Sequence, residues 1–230
     1  MKPLAAFLLL LLASPAWAGM SLDKIIVYLD DVPNARDDIV VSNPDDETLY
    51  LQTEIYRVDN AGLPDEKRVR VVNPKEFKLL VSPAKAVLTS GEQRRFRLMS
   101  LEHNLDEEKV YRVTFKPVVG DIKTDRTALK ILVAYQALVF VQPGDGDYQL
   151  ELERQDGGWA LKNTGNINVE ISGVQHCLSE AGCEPLELKG RLYAGASLPI
   201  DKPLVGGKLK LLARSNKQSG EEELPLPPAG

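Results

Sequence analysis

The chain of 230 residues carries 28 Lys and Arg against 33 Asp and Glu, a formal net charge of −5, with two histidines and two cysteines. An acid excess argues against a nucleic-acid partner, whose phosphates call for a basic surface. His103 and His176 stand far apart without ligand-spaced neighbours, which leaves little material for a metal centre.

The first residues read as a secretory signal peptide. Lys2 gives a cationic start, Leu4 to Ala13 is apolar, and Ala16-Trp17-Ala18 supplies the small-x-small cleavage pattern. The apolar run is too short to cross a bilayer as a helix. Cleavage after Ala18 places the mature protein outside the cytoplasm, in a bacterial periplasm. No later segment has the length and apolarity of a membrane span, so the chain is not expected to be an integral membrane protein.

From residue 19 the chain reads as short strands separated by turn signals. Ile25 to Leu29 ends at Asp30-Asp31 and Pro33-Asn34; Ile39 to Val41 ends at Asn43-Pro44-Asp45-Asp46. Leu49 to Val58 is a longer strand, followed by Phe77 to Val81, Ala86 to Leu88 and Arg95 to Leu98. In Val110 to Phe115, Tyr111, Val113 and Phe115 share one side while Arg112 and Thr114 take the other. Seven or eight such strands in roughly 120 residues, with no apolar helical period, predict an all-β sandwich.

The last strand of this portion is unusual. Thr127 to Val141 is long and apolar on both faces, with Leu129, Ile131, Val133 and Tyr135 on the face assigned outward and Ala128, Lys130 and Leu132 on the other. A bare apolar strand face invites aggregation. Two explanations stand: a central strand covered on both sides, or a strand that lends its outer face to another protein by β-augmentation.

Gln142-Pro143-Gly144-Asp145-Gly146-Asp147 reads as a boundary. Beyond it come strands at Tyr148 to Leu152, Trp159 to Lys162, Ile167 to Ile171, Leu186 to Leu188, Arg191 to Tyr193 and Leu209 to Leu212, a second and smaller β domain. Cys177 and Cys183 enclose a five-residue loop, and in an oxidising compartment they suit a structural disulfide; free thiols and a redox pair are the alternatives. The predicted domains are a signal peptide at 1–18, a first sandwich at 19–142, a second at 143–218 and a loose tail at 219–230. No nucleophile elbow, phosphate-binding loop or dinucleotide fingerprint is present, and the acidic pairs sit in turns, so no enzyme is expected.

Several stretches taken in order resemble the periplasmic pilus-assembly chaperones of bacterial chaperone–usher systems, in particular the alternate, colonisation-factor class. They are Ser21 to Tyr28, Leu80-Val81-Ser82-Pro83, Ser90 to Leu98, Glu108 to Phe115, Ala134 to Val139, Leu161 to Asn166 and the cysteine pair. The resemblance implies two immunoglobulin-like β-sandwiches in a boomerang arrangement, without cofactor or catalysis. It implies pilin subunits and an outer-membrane usher as partners. It also implies a donor strand, here Thr127, Leu129, Ile131 and Val133, which completes the fold of a subunit.

Many members of that family grip the subunit's terminal carboxylate with two basic residues between the domains. Here the matching positions hold Ile26 and Gln136, neither of them cationic. Arg112 is the preferred substitute, because a guanidinium binds a carboxylate bidentately, and Lys24 is the weaker one. A secreted two-domain adhesin or structural pilus component is the competing reading. The chaperone reading is favoured because the first mature strand begins almost at once, at Leu22.

Overall fold

The computed structural model describes residues 19–118, 132–155, 157–179 and 182–226. Eighteen strands among them form four sheets, and a single turn of 3₁₀ helix at Pro74–Glu76 interrupts the first half. The first sheet has the order β1-β3-β8-β6: β1 Ser21–Leu22, β3 Arg36–Ser42, β8 Gln93–Ser100 and β6 Leu79–Ser82. The second runs β2-β10-β9-β4-β5: β2 Ile26–Asp30, β10 Tyr135–Gln142, β9 Lys109–Val118, β4 Leu49–Asp59 and β5 Lys67–Arg70, with β7 Lys85–Leu88 also on β4. These two sheets close on one apolar core. Alternation builds it: Tyr111, Val113 and Phe115 of β9 and Ala137, Val139 and Val141 of β10 all point inward and are essentially inaccessible. Across the core, Phe96 of β8 meets Phe115 edge to face with ring centres 5.2 Å apart.

The second sandwich packs a three-stranded sheet on a five-stranded one. The smaller sheet orders β11 Leu150–Gln155, β12 Gly158–Asn163 and β16 Ser197–Ile200. The larger orders β14 Gly182–Pro185, β13 Val169–Ser179, β17 Lys208–Arg214 and β18 Ser219–Pro225, with β15 Gly190–Leu192 on the other stretch of β13. Asn163 explains why a polar turn motif sits at its centre. The side chain is fully buried, its Nδ2 donates to the carbonyls of Ile167 and Leu192, and its Oδ1 accepts from the N–H groups of Gly165 and Gln149. One buried side chain thus answers four backbone groups of the surrounding turns. Cys177 and Cys183 face each other across β13 and β14 and form a disulfide, with Cα atoms 4.0 Å apart.

Three expectations change. Residues 219–230 do not begin as a tail: Ser219–Pro225 is the last strand, paired with β17 from Arg214 to Lys208, and Leu226 is buried. The polar stretch hid a strand because pairing with β17, Leu224 and the Tyr148 hydroxyl on Glu222 hold it, which leaves weak alternation in the sequence. Leu186 to Leu188 is not a strand. The long strand begins at Tyr135 among the described residues, with 132–134 outside any strand; Thr127, Leu129 and Ile131 lie outside the described residues.

Candidate functional site

The β2–β10–β9–β4 sheet turns its odd-numbered residues on β9 and β10 to the core and its even-numbered ones outward. The pairing registers align these even positions in rows. One row holds Ile26, Leu138, Arg112 and Tyr56; the next holds Tyr28, Phe140, Val110 and Val58; Gln136, Thr114 and Glu54 form a third. The row of Tyr28 and Phe140 is capped by the second sandwich. Tyr28 stacks on Phe140 with ring centres 5.1 Å apart, and Tyr193 closes on Phe140 from the other domain at 6.2 Å. Phe140 is therefore buried although it faces away from the core. Between the sandwiches a cleft of about 400 Å³ opens beside Arg57, Asp59, Ala61, Lys109 and Tyr193.

Arg112 stands on the row next to this contact. Its Nη1 donates to Gln136 Oε1 at 3.1 Å, and Gln136 Nε2 donates in turn to Thr114 Oγ1 at 2.9 Å. Arg112 Nε is buried and has no hydrogen-bond partner among the described residues. The guanidinium thus keeps unused capacity for an acceptor. Its charge is felt by its neighbours: the Gly62 N–H and the Arg68 guanidinium, with Arg112 further off, hold the Glu66 carboxyl below the usual range. Burial pushes the Tyr193 hydroxyl up, against the pull of Arg112 and Arg191.

The candidate anchors separate in the structure. Arg112 and Gln136 are joined directly, whereas Lys24 is bound to both carboxylate oxygens of Asp37, each at 2.9 Å, on the first sheet. Ile26 lies on the Arg112 row and is partly exposed. The reading of the sequence missed Arg191. Its guanidinium lies 5.1 Å over the Phe140 ring, its Nη1 donates to Tyr28 Oη at 2.9 Å and to Asn168 Oδ1, and Glu170 is 3.7 Å away. Arg191 follows Gly190 in a short strand, and no local pattern links it to aromatic residues of the other domain.

At the opposite end of β10 the assignment of faces changes. Tyr135, expected on the outward face with Leu129, Ile131 and Val133, packs on the core together with Ala137 and Val139. On the other face of β10 the Tyr28 ring and Tyr193 of the second sandwich close over Phe140, and the odd positions take the core. Leu132, expected inside, is 38% exposed, and Val133 is 59% exposed. Both line the rim of a small groove with Met20, Leu49, Tyr50 and Val118. Among the described residues no helix is long and apolar enough to cross a membrane, and no group of acidic, histidine or cysteine side chains could hold a metal ion.

Comparison with known proteins decides the family. Residues 19–146 match the model of the pili and flagellar-assembly chaperones, PapD N-terminal domain. The chain belongs to this family. It is a periplasmic chaperone of the chaperone–usher pathway, and the family is one of chaperones rather than catalysts. That sets aside the reading as an adhesin or structural pilus component. A relative, the probable fimbrial chaperone EcpE of Escherichia coli strain K12, is 24% identical over 186 residues, covering 78% of this chain and 73% of EcpE. Among solved structures, the class 5 fimbriae chaperone CfaA superposes with a TM-score of 0.72 at 21% identity, over 90% of this chain and 99% of CfaA. A second match is a chain of the CsuC–CsuE chaperone–tip adhesion subunit pre-assembly complex, from the archaic chaperone-usher Csu pili of Acinetobacter baumannii. Its TM-score is 0.61 at 14% identity, over 90% of this chain and 98% of that one. The two sandwiches are thus arranged as in the PapD-like chaperones.

Proposed function

We propose that this chaperone captures pilin subunits by donating the segment from Thr127 to Val133, fixes the subunit's terminal carboxylate with Arg112, and delivers the complex to an outer-membrane usher. The observation that carries the reading is the way β10 leaves its sandwich. Tyr135, Ala137, Val139 and Val141 fill the core, and the chain just before them presents Leu132 and Val133 to solvent at the rim of an apolar groove. A strand continued through Ile131 and Leu129 with the same alternation would prolong the core row beyond the sandwich. There a subunit lacking a strand could bury it, with backbone hydrogen bonds supplying affinity and alternate side chains filling pockets.

Arg112 suits the second task. It carries a permanent charge and a side chain steadied by Gln136. Gln136 is neutral and already engaged at both ends, so it supports Arg112 and does not itself bind the carboxylate; Lys24 is held by Asp37. Hydrogen–deuterium exchange on the chaperone alone and in complex with a co-expressed pilin subunit tests the reading. Strong new protection across 127–133 is expected. Protection confined to other strands, with 127–133 exchanging as in the free chaperone, would refute strand donation.

A further inference from the structure

The joint between the sandwiches contains a carboxyl group that forms no ion pair among the described residues. Glu108 immediately precedes β9 and is 7% exposed. Its Oε2 accepts from Asn168 Nδ2 at 2.7 Å and from Gln142 Nε2 at 3.3 Å, and its backbone N–H donates to the Asn166 carbonyl at 3.0 Å. One residue therefore ties together the start of β9, the end of β10 and the second sandwich. Two oxygens at this joint are buried and, among the described residues, find no partner: Glu108 Oε1 and Gln142 Oε1. Both belong to side chains already joined through their other polar atoms. As long as Glu108 is ionised, both oxygens can only accept, so neither can satisfy the other. A proton on Glu108 turns one of these unpartnered acceptors into a donor, the kind of group that this buried network lacks.

We propose that Glu108 works as a neutral carboxylic acid whose O–H is given to the Gln142 amide oxygen, and that this proton holds the two sandwiches at one orientation. The surroundings agree. Arg191, on β15, is the cation that acts on Glu108, but its guanidinium is engaged by Asn168, Tyr28 and Glu170. Tyr193, just after β15, presents a phenol, and Tyr28 of β2 spends its oxygen on Arg191. Glu107 and Lys109, which flank Glu108, line the cleft with opposite charges, and Arg57 and Asp59 of β4 pair with each other at 2.6 Å. Burial pushes the Glu108 carboxyl up and outweighs the opposing pull of Asn168, Gln142 and Arg191.

The sign of the pH effect follows. A carboxyl raised in the folded protein contributes stability that is fully present below the ordinary glutamate range and is lost as pH rises through the raised value. The joint is therefore firm in mild acid and loosens as the proton leaves. The carboxylate then either draws in water or parts from Asn168, and the sandwiches gain freedom about the cleft.

The test uses the intact mature protein with carbon-13 in its glutamate carboxyls, assigned through each residue's own backbone. The Glu108 resonance is expected to titrate above all exposed glutamates. Residual dipolar couplings should show one fixed inter-sandwich orientation at a pH below the observed Glu108 titration and averaging at a pH above it. In Glu108→Gln, a neutral mimic of the acid form, the couplings should stay fixed at both values. A Glu108 carboxyl that titrates with the exposed glutamates overturns the proposal, and this reading needs no variant to fold. So does an inter-sandwich orientation that is unchanged by pH in the unaltered protein, or one that loosens equally in Glu108→Gln.

Discussion

The two faces of the β9–β10 pair follow the same alternation and do different work. Tyr111, Val113, Phe115, Ala137 and Val139 make a dry core, while Arg112, Thr114, Gln136 and Phe140, one residue away on the same strands, make a wet face and the contact with the second sandwich. The core face requires apolar volume, and the hydroxyl that Tyr111 brings to it is donated to Glu102. The cleft face combines stacked rings with the hydrogen-bonded group of Arg112, Gln136 and Thr114. Stability of the first sandwich should depend on the odd positions, and subunit recognition on the even ones and on the segment before Tyr135.

Substitutions that strike one face at a time can break that comparison. The largest effect is expected at Phe115→Ala, which empties a fully buried site against Phe96 and should cost about 3–5 kcal/mol. Urea denaturation would show an early loss of the first sandwich; an unchanged midpoint would mean that this row is not the core. On the neighbouring position, Arg112→Ala should leave stability nearly untouched and weaken subunit affinity by about 2 kcal/mol, roughly 30-fold. Calorimetric titration with a purified subunit measures it. Reduced stability with normal affinity would make Arg112 a structural residue.

Away from both faces, replacing Cys177 and Cys183 together by serine should cost about 2 kcal/mol, because the closed loop is short. The loss should appear in the unfolding of the second sandwich while subunit affinity holds; a matching loss of affinity would tie the disulfide to capture. The smallest effect is expected at the joint. Gly62 has φ +74°, and a methyl group there would stand 2.6 Å from Tyr193 Cδ2. Gly62→Ala should cost about 1 kcal/mol in backbone strain and turn the second sandwich away from the first. Small-angle scattering that superposes on the unaltered protein would show that Tyr193 moves instead.

Much of this architecture was legible in the sequence, where one physical rule acts alone. Alternation separated Tyr111, Val113 and Phe115 from Arg112 and Thr114 without help, since a strand with one face in a core has no other solution. It failed at Tyr135, because Phe140 and Leu138 are apolar on the opposite face as well, where Tyr28 and Tyr193 pack against them. With both faces apolar, the pattern does not say which is the core. It failed again at Ser219–Pro225, where backbone pairing to β17 makes the strand and few side chains advertise it. At the candidate site, Arg112 could be named from its place beside Gln136 once the resemblance supplied the missing cations. Arg191 and Glu108 could not, for their partners Tyr28, Asn168 and Gln142 are brought to them by tertiary packing across the joint.

The measurement that bears most directly on the account is subunit capture by Ile131→Glu. A glutamate in an apolar groove loses its hydration without gaining a partner. The account predicts a chaperone with an unchanged circular dichroism spectrum and thermal midpoint that no longer co-purifies a co-expressed pilin subunit, while Ile131→Leu still does. A folded Ile131→Glu chaperone that retains its subunit at the level of the unaltered protein would contradict it.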